Sequence, residues 1–388
     1  MSQNDLVSLA VIAAAAVAAV LLASLLRRAR IPGVVLEIAL GILVGPQVLR
    51  LAEETDFITA LADFGLTFLL FLAGFEVEIA RIKGRPLKLA GGGWLVSLAL
   101  AFGIGGLLQV EGLVRSDLYF GLALTTTALG TLLPILRDEG LLETDMGRHL
   151  LAVGAVGEFG PVVAVAVLLS GGRPLLSTVL LAAFVVCVLA VAFVTVRMPA
   201  PHVGRLLHET LRTSGQLMVR IVVLLLVVLL LLASELGLDI LLGAFAAGLI
   251  LRRLTTERTM EHLQTRLDTL GYGFFIPIFF VVTGIRFDIV HLVTSVHAIV
   301  ILVVVLLLML VVRGLPALLY RRDLDGRQQL SLAFFSATGL PLIVAITTIG
   351  QEAGTIGATA AVAMVGAGMV SVFVYPLIAL AILRRSRA

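Results

Sequence analysis

The chain is a succession of long apolar runs separated by short polar loops. Runs of about 20 apolar residues are what a helix needs to cross a hydrocarbon core roughly 30 Å thick. The ten-residue alternation of a membrane barrel is absent. The pattern predicts an all-α polytopic membrane protein of about 13 transmembrane helices, at residues 6–26, 33–50, 57–80, 87–109, 117–136, 149–170, 175–197, 215–235, 238–252, 267–284, 292–320, 327–349 and 355–383. The first run carries its arginines after it (Arg27, Arg28, Arg30) and no basic segment before it, as a membrane helix does and a cleaved leader does not.

Composition agrees: 60% of the 388 residues are hydrophobic and 14% are charged. The charges sort by loop. Loops after even-numbered spans hold only Arg50, Arg115, Arg173 and Arg286 of the 28 Lys and Arg residues, and Arg220 and Arg313 lie within spans; the rest follow odd-numbered spans. The positive-inside rule then places the N-terminus outside and the C-terminus in the cytoplasm of a cell membrane. One cysteine, Cys187, permits no intrachain disulfide. Basic and aromatic residues are not interleaved, so no nucleic-acid partner is expected. Gly91-Gly92-Gly93 lacks the lysine and the strand–helix setting of a phosphate loop, which speaks against ATP drive.

The chain also repeats itself weakly. FLAGFEVEI (71–79) resembles VVTGIRFDI (281–289), and TTTALG (125–130) resembles SATGLP (336–341) at nearly the same offset. Spans 1–6 therefore match spans 8–13, and the odd step turns the second copy upside down. One membrane domain follows, with a first repeat over 1–170, a connector over 171–214 and an inverted second repeat over 215–388. Spans 5 and 12 are both interrupted, by Thr125-Thr126-Thr127-Ala128-Leu129-Gly130 and by Ser336-Ala337-Thr338-Gly339-Leu340-Pro341. Paired breaks in the two halves point to a midplane binding site.

Span 6 carries the candidate chemistry. Glu158 is the one acid or base between Leu150 and Ser170, and it lies ten residues beyond Arg148, about 15 Å along a helix and near a bilayer midplane. An acid there usually marks an ion path. When dry, such a carboxylate favours its protonated form; a small cation on the same oxygens favours the charged form. One shared carboxylate thus gives antiport. The hydroxyls of Thr125, Thr126, Thr127, Ser336 and Thr338, with carbonyls freed by the breaks, are the oxygen ligands that suit a hard alkali cation. Gly154, Gly157 and Gly160, with Pro161, give span 6 a small face on which another backbone can approach. Glu37 and Asp63 read as interfacial or packing groups, and Arg220 reads as reaching the cytoplasmic surface.

VVLEIALGILVGPQVL (34–49), LTFLLFLAGFEVEI (66–79), LALTTTALGTLLPILRDEGLL (122–142), LLGAFAAGLILRR (241–253) and LGYGFFIPIFFVVTGIRFDI (270–289) together resemble the monovalent cation:proton antiporter-2 family, the relatives of bacterial sodium/proton and potassium/proton exchangers. The resemblance implies a sodium/proton antiporter fold, with a mobile core domain, a dimerisation domain and two broken helices crossing beside a transport carboxylate. It also implies homodimers, elevator-like transport of Na+ or K+ against H+, and no cofactor or enzymatic activity. Where the family carries Asp-Asp, Asn-Asp or Gln-Asp, this chain has Gly157-Glu158. The cytoplasmic nucleotide-binding domain of some members is not expected here. Arg313 resembles the basic residue of span 11, which implies a charge partner for Glu158 when no cation is bound. A channel or uniporter, an organic-solute transporter using Arg313 for an anion, and a sensor without transport are the alternatives on the same scaffold.

Overall fold

The computed structural model describes residues 2–25, 33–76, 82–110, 117–168, 217–236, 240–255 and 257–384, and every regular element among them is helical. In chain order these are α1 (Gln3–Leu25), α2 (Gly33–Val44), α3 (Asp56–Glu76), α4 (Arg85–Val110), α5 (Asp117–Leu124), α6 (Leu129–Asp138), α7 (Asp145–Leu168), α8 (Leu217–Glu235), α9 (Ile240–Leu254), α10 (Glu257–Leu270), α11 (Ile276–Arg286), α12 (Ile289–Thr294), α13 (Val296–Gly314), α14 (Gly326–Ser336), α15 (Pro341–Glu352) and α16 (Ala358–Arg384). Among the described residues, nine helical stretches are long and apolar enough to cross a membrane. The expected seventh span, 175–197, and Cys187 lie outside the described residues.

Local chemistry explains where several expected spans change. The second was expected to reach residue 50, but α2 stops at Val44, before Gly45-Pro46 and a turn in which Arg50 takes φ 54°. The eleventh was expected as one span over 292–320, and the structure divides it. Ser295 (φ −100°, ψ 106°) leaves the helix and accepts from Ala298 N–H, capping α13. The segment beyond Gly314 tightens into a 3₁₀ turn, Leu315–Tyr320, with Pro316 at its start. In the tenth, a π turn at Gly271–Phe275 joins α10 to α11; Pro277 lacks the N–H that would bond the carbonyl of Gly273.

The contacts divide the chain into two compact units. The smaller covers 59–77 and 162–279. Its core is aromatic: Phe64, Phe68, Phe71 and Phe275 pack with ring centroids 4.8–6.4 Å apart. Gly248 of α9 lets the α3 backbone at Phe71 come to van der Waals distance, where any Cβ would collide with it.

The larger unit covers 1–58, 78–161 and 280–388 and holds the candidate site. Here α4 packs on α5, α13 on α16, and α14 on α16. Gly41 and Gly284 bring α2 and the end of α11 together backbone to backbone: a Cβ on Gly284 would sit 2.8 Å from the Gly41 Cα. Glu37, expected as an interfacial or packing group, is buried within α2. Ion pairs tie the polar ends of this unit, Arg286–Glu54 at 2.7 Å, Arg85–Asp323 at 2.6 Å and Arg384–Glu139 at 2.9 Å.

Candidate functional site

The site is built from the two helix breaks and α7. The first break begins where Thr125 and Thr126 turn their hydroxyls back onto the carbonyls of Leu122 and Ala123, at 2.8 and 2.9 Å. This satisfies the open end of α5 with local side chains and stops the helix. The second begins at Ala337, runs through Gly339, and restarts with Pro341 at the head of α15, where a missing N–H costs nothing. Ser371 of α16 closes it: its hydroxyl accepts from Gly339 N–H at 3.2 Å.

The breaks meet. Ala128 N–H donates to Thr338 O at 2.8 Å, and the Thr127 hydroxyl donates to Ser336 O at 2.5 Å. A Cβ on Gly339 would lie 2.9 Å from Thr126 Oγ1. The same crossover is anchored to α7, because Thr127 N–H donates to Gly157 O at 2.9 Å. That carbonyl is available for a definite reason. Its helical partner would be the N–H of residue 161, and residue 161 is a proline. Pro161, expected as part of a packing face, thereby frees the Gly157 carbonyl that binds the crossover.

The small face of α7 meets side chains rather than the backbone expected from the sequence, a different one at each step. A Cβ on Gly154 would press on the Leu129 side chain, 3.2 Å from its Cβ, and one on Gly160 would strike the indole of Trp94. On Gly157 it would meet Arg313 Nη2 and Thr127 Oγ1, the latter at 2.6 Å. Glu158 follows directly and is buried, 6% exposed.

Arg313 is 4% exposed, far too deep to reach an aqueous surface. Its guanidinium donates from Nε and Nη2 to Thr127 Oγ1 at 3.0 and 2.7 Å, from Nη1 to Ser97 Oγ at 3.2 Å, and from Nη2 to Val153 O at 3.3 Å. The direct ion pair with Glu158 that the resemblance implied is not among its bonds. Neutral oxygens satisfy it instead, because Gly157 leaves room for the guanidinium against α7.

This changes the standing of the hydroxyls. Thr127 Oγ1 accepts twice from Arg313 and donates once, so both lone pairs and the proton are used. In this arrangement it serves the arginine and has no lone pair for an alkali cation. Ser336 Oγ lies 2.8 Å from Arg313 O and 3.0 Å from Ala333 O, also within the crossover. Thr125, Thr126 and Thr338 donate to backbone carbonyls and keep lone pairs to offer.

Sequence reasoning missed Ser97, Ser371 and Trp94. Ser97 is the one hydroxyl residue in α4, and a lone hydroxyl in a long apolar helix was the available signal. It also donates to Val312 O at 2.8 Å, binding α4 to α13. Trp94 Nε1 and Tyr320 Oη are buried with no hydrogen-bond partner among the described residues. Both residues border a void of about 10 Å³ next to Arg313 and Ser336, close to the size of one water.

Several known proteins have related chains. YjbQ of Bacillus subtilis, whose name marks it as a candidate Na(+)/H(+) antiporter, is 27% identical over 346 residues; these cover 83% of this chain and 54% of YjbQ, so the chain spans about half of that relative's length. The Methanocaldococcus jannaschii protein named Probable Na(+)/H(+) antiporter 3 is 25% identical over 370 residues, 92% of this chain and 91% of its own. The solved structure of the sodium proton antiporter MjNhaP1 from the same organism superposes with a TM-score of 0.66 at 19% identity, covering 98% of this chain and all of that one, which shows a shared fold. The family described as sodium/hydrogen exchanger, transmembrane, matches residues 13–385, and the chain belongs to it: a membrane protein of the monovalent cation:proton antiporter type.

Proposed function

We propose that this chain exchanges a monovalent cation, Na+ or K+, for H+ across a cell membrane, with Glu158 as the shared site. The observation that carries the reading is the burial of Glu158 on α7 immediately beside Gly157, the residue at which the crossover of the two breaks is tied down. A carboxylate held dry there accepts either a proton or a small cation, and each conformational switch then carries one or the other. Thr125, Thr126 and Thr338 supply further oxygens. Transport is elevator-like and electroneutral, one cation for one proton, since Glu158 is the single acid in the middle of its span. The working form is a homodimer with the N-terminus outside, built from two inverted repeats joined through 171–214. The names of three relatives, which mark YjbQ as a candidate Na(+)/H(+) antiporter and read Probable Na(+)/H(+) antiporter 3 and Na(+)/H(+) antiporter for the other two, support the cargo assignment.

Proteoliposomes containing a pH dye test this. Adding Na+ or K+ outside acid-loaded vesicles should dissipate the proton gradient, and Glu158→Gln should abolish the response. Exchange at the wild-type rate in the Gln variant would remove Glu158 from the mechanism. A strong dependence on membrane potential would rule out one-for-one exchange.

A further inference from the structure

The guanidinium of Arg313 and the missing side chain at 157 occupy the same space. A Cβ on Gly157 meets Arg313 Nη2 before anything else, then the Thr127 hydroxyl at 2.6 Å and Thr127 Cβ at 2.8 Å. We propose that Arg313 is a fixed positioning residue. It fills the volume vacated at 157 and holds the first helix break against α7 throughout the exchange cycle, rather than alternating on and off Glu158. The proposal rests on the exchange reading above and concerns how the same site is held.

Three observations carry it. First, the guanidinium spans three separate parts of the fold: Ser97 on α4, Val153 on α7 and Thr127 in the break. A planar fork of N–H groups reaches all three at once, which a single ammonium cannot. Second, every acceptor is a hydroxyl or a carbonyl. None of them titrates, so none loosens its hold when a proton or cation arrives at Glu158. Third, Val153 and Gly157 are four residues apart and share one face of α7, whereas Glu158 lies about 100° further round the helix. A guanidinium seated on the 153/157 face is bound by groups other than the carboxylate.

The arrangement has a consequence for coupling. A proton and a monovalent cation carry the same charge, so a guanidinium that stays in place adds the same +1 to the site whichever of them Glu158 holds. Both cargoes then present the moving domain with the same electrostatic cost, without any second acid.

Two measurements test this. The wild-type protein is solved at acidic pH, and at alkaline pH with saturating Na+ or K+. The guanidinium should stay on Thr127 and Val153 beside Gly157 in both; a shift of the guanidinium onto the Glu158 carboxylate in either would overturn the proposal. Exchange kinetics then compare Gly157→Ala, Arg313→Lys and the double variant. Each single substitution should lower the maximal rate by on the order of tenfold or more, as displacements of about 1 Å do at a reacting site. The cation concentration for half-maximal rate should change less than about twofold and the pH profile should not move. In the double variant the loss should not exceed the larger single loss, because lysine lacks the forked end that the new methyl displaces. Losses that multiply, or a displaced pH profile, would make Arg313 a counter-ion of Glu158 instead. If the wild type exchanges nothing, the functional reading fails, and the paired structures still decide where Arg313 is held.

Discussion

Thr127 is the residue on which most of the site converges. Its hydroxyl joins Arg313 to Ser336, and its N–H joins the break to α7. Thr127→Val keeps the shape and removes the oxygen, leaving two N–H groups of a buried guanidinium unpaired. Hydrogen bonds to charged groups contribute about 1.5–3 kcal/mol each, so a marked drop in thermal stability of the purified protein is expected, with Thr127→Ser close to wild type. Equal stability of the Val and Ser variants would show that the hydroxyl carries no weight. Glu158 was legible in the sequence because a lone acid in an apolar span can only be buried. The role of Thr127 was not. Its partner Arg313 is 186 residues away, and a threonine inside a helix break reads equally well as a cation ligand or as a scaffold.

At the scale of elements, α7 owes its function to a defect. Pro161 frees the carbonyl of Gly157, and the crossover uses it. Pro161→Ala would return a helical donor to that carbonyl and make it compete with Thr127 N–H. Amide hydrogen exchange should then be faster at Thr127 and slow at the amide introduced at position 161, with a lower transport rate; unchanged protection at Thr127 would disprove the link. Both helix breaks were visible as a Thr run and a Gly-Leu-Pro sequence, because these residues weaken helices by themselves. The break at Ser295 was not visible, since a serine flanked by apolar residues signals an N-cap only once the chain direction around it is known.

At the scale of the whole molecule, surface ion pairs and topology are the testable features. Arg85 donates to the Asp323 carboxylate and holds it below its ordinary value of 3.8. A depressed carboxylate stabilises the fold above its ordinary value, and that contribution is lost as pH falls through the lowered one. The difference in thermal stability between wild type and Asp323→Asn should therefore close in acid, and a gap independent of pH would assign it to packing. The charge pattern predicts that loops after even and odd spans face opposite sides. In a Cys187→Ser background, the Gln47→Cys thiol should react with an impermeant reagent from outside, and the Arg322→Cys thiol only after permeabilisation. The opposite result would invert the orientation.

The sequence by itself determined what short-range physics controls. Apolar run length set the helices, loop charge set the expected orientation, residues that disfavour helix set the two breaks, and the isolation of Glu158 set its burial. Tertiary structure alone decided who meets whom. The absence of a side chain at 157 is a single letter in the sequence. That the vacated volume holds a guanidinium from α13, bonded to neutral oxygens on α4, α7 and the first break, follows from packing among residues far apart in the chain. Such contacts depend on distances that neither hydropathy nor propensity encodes.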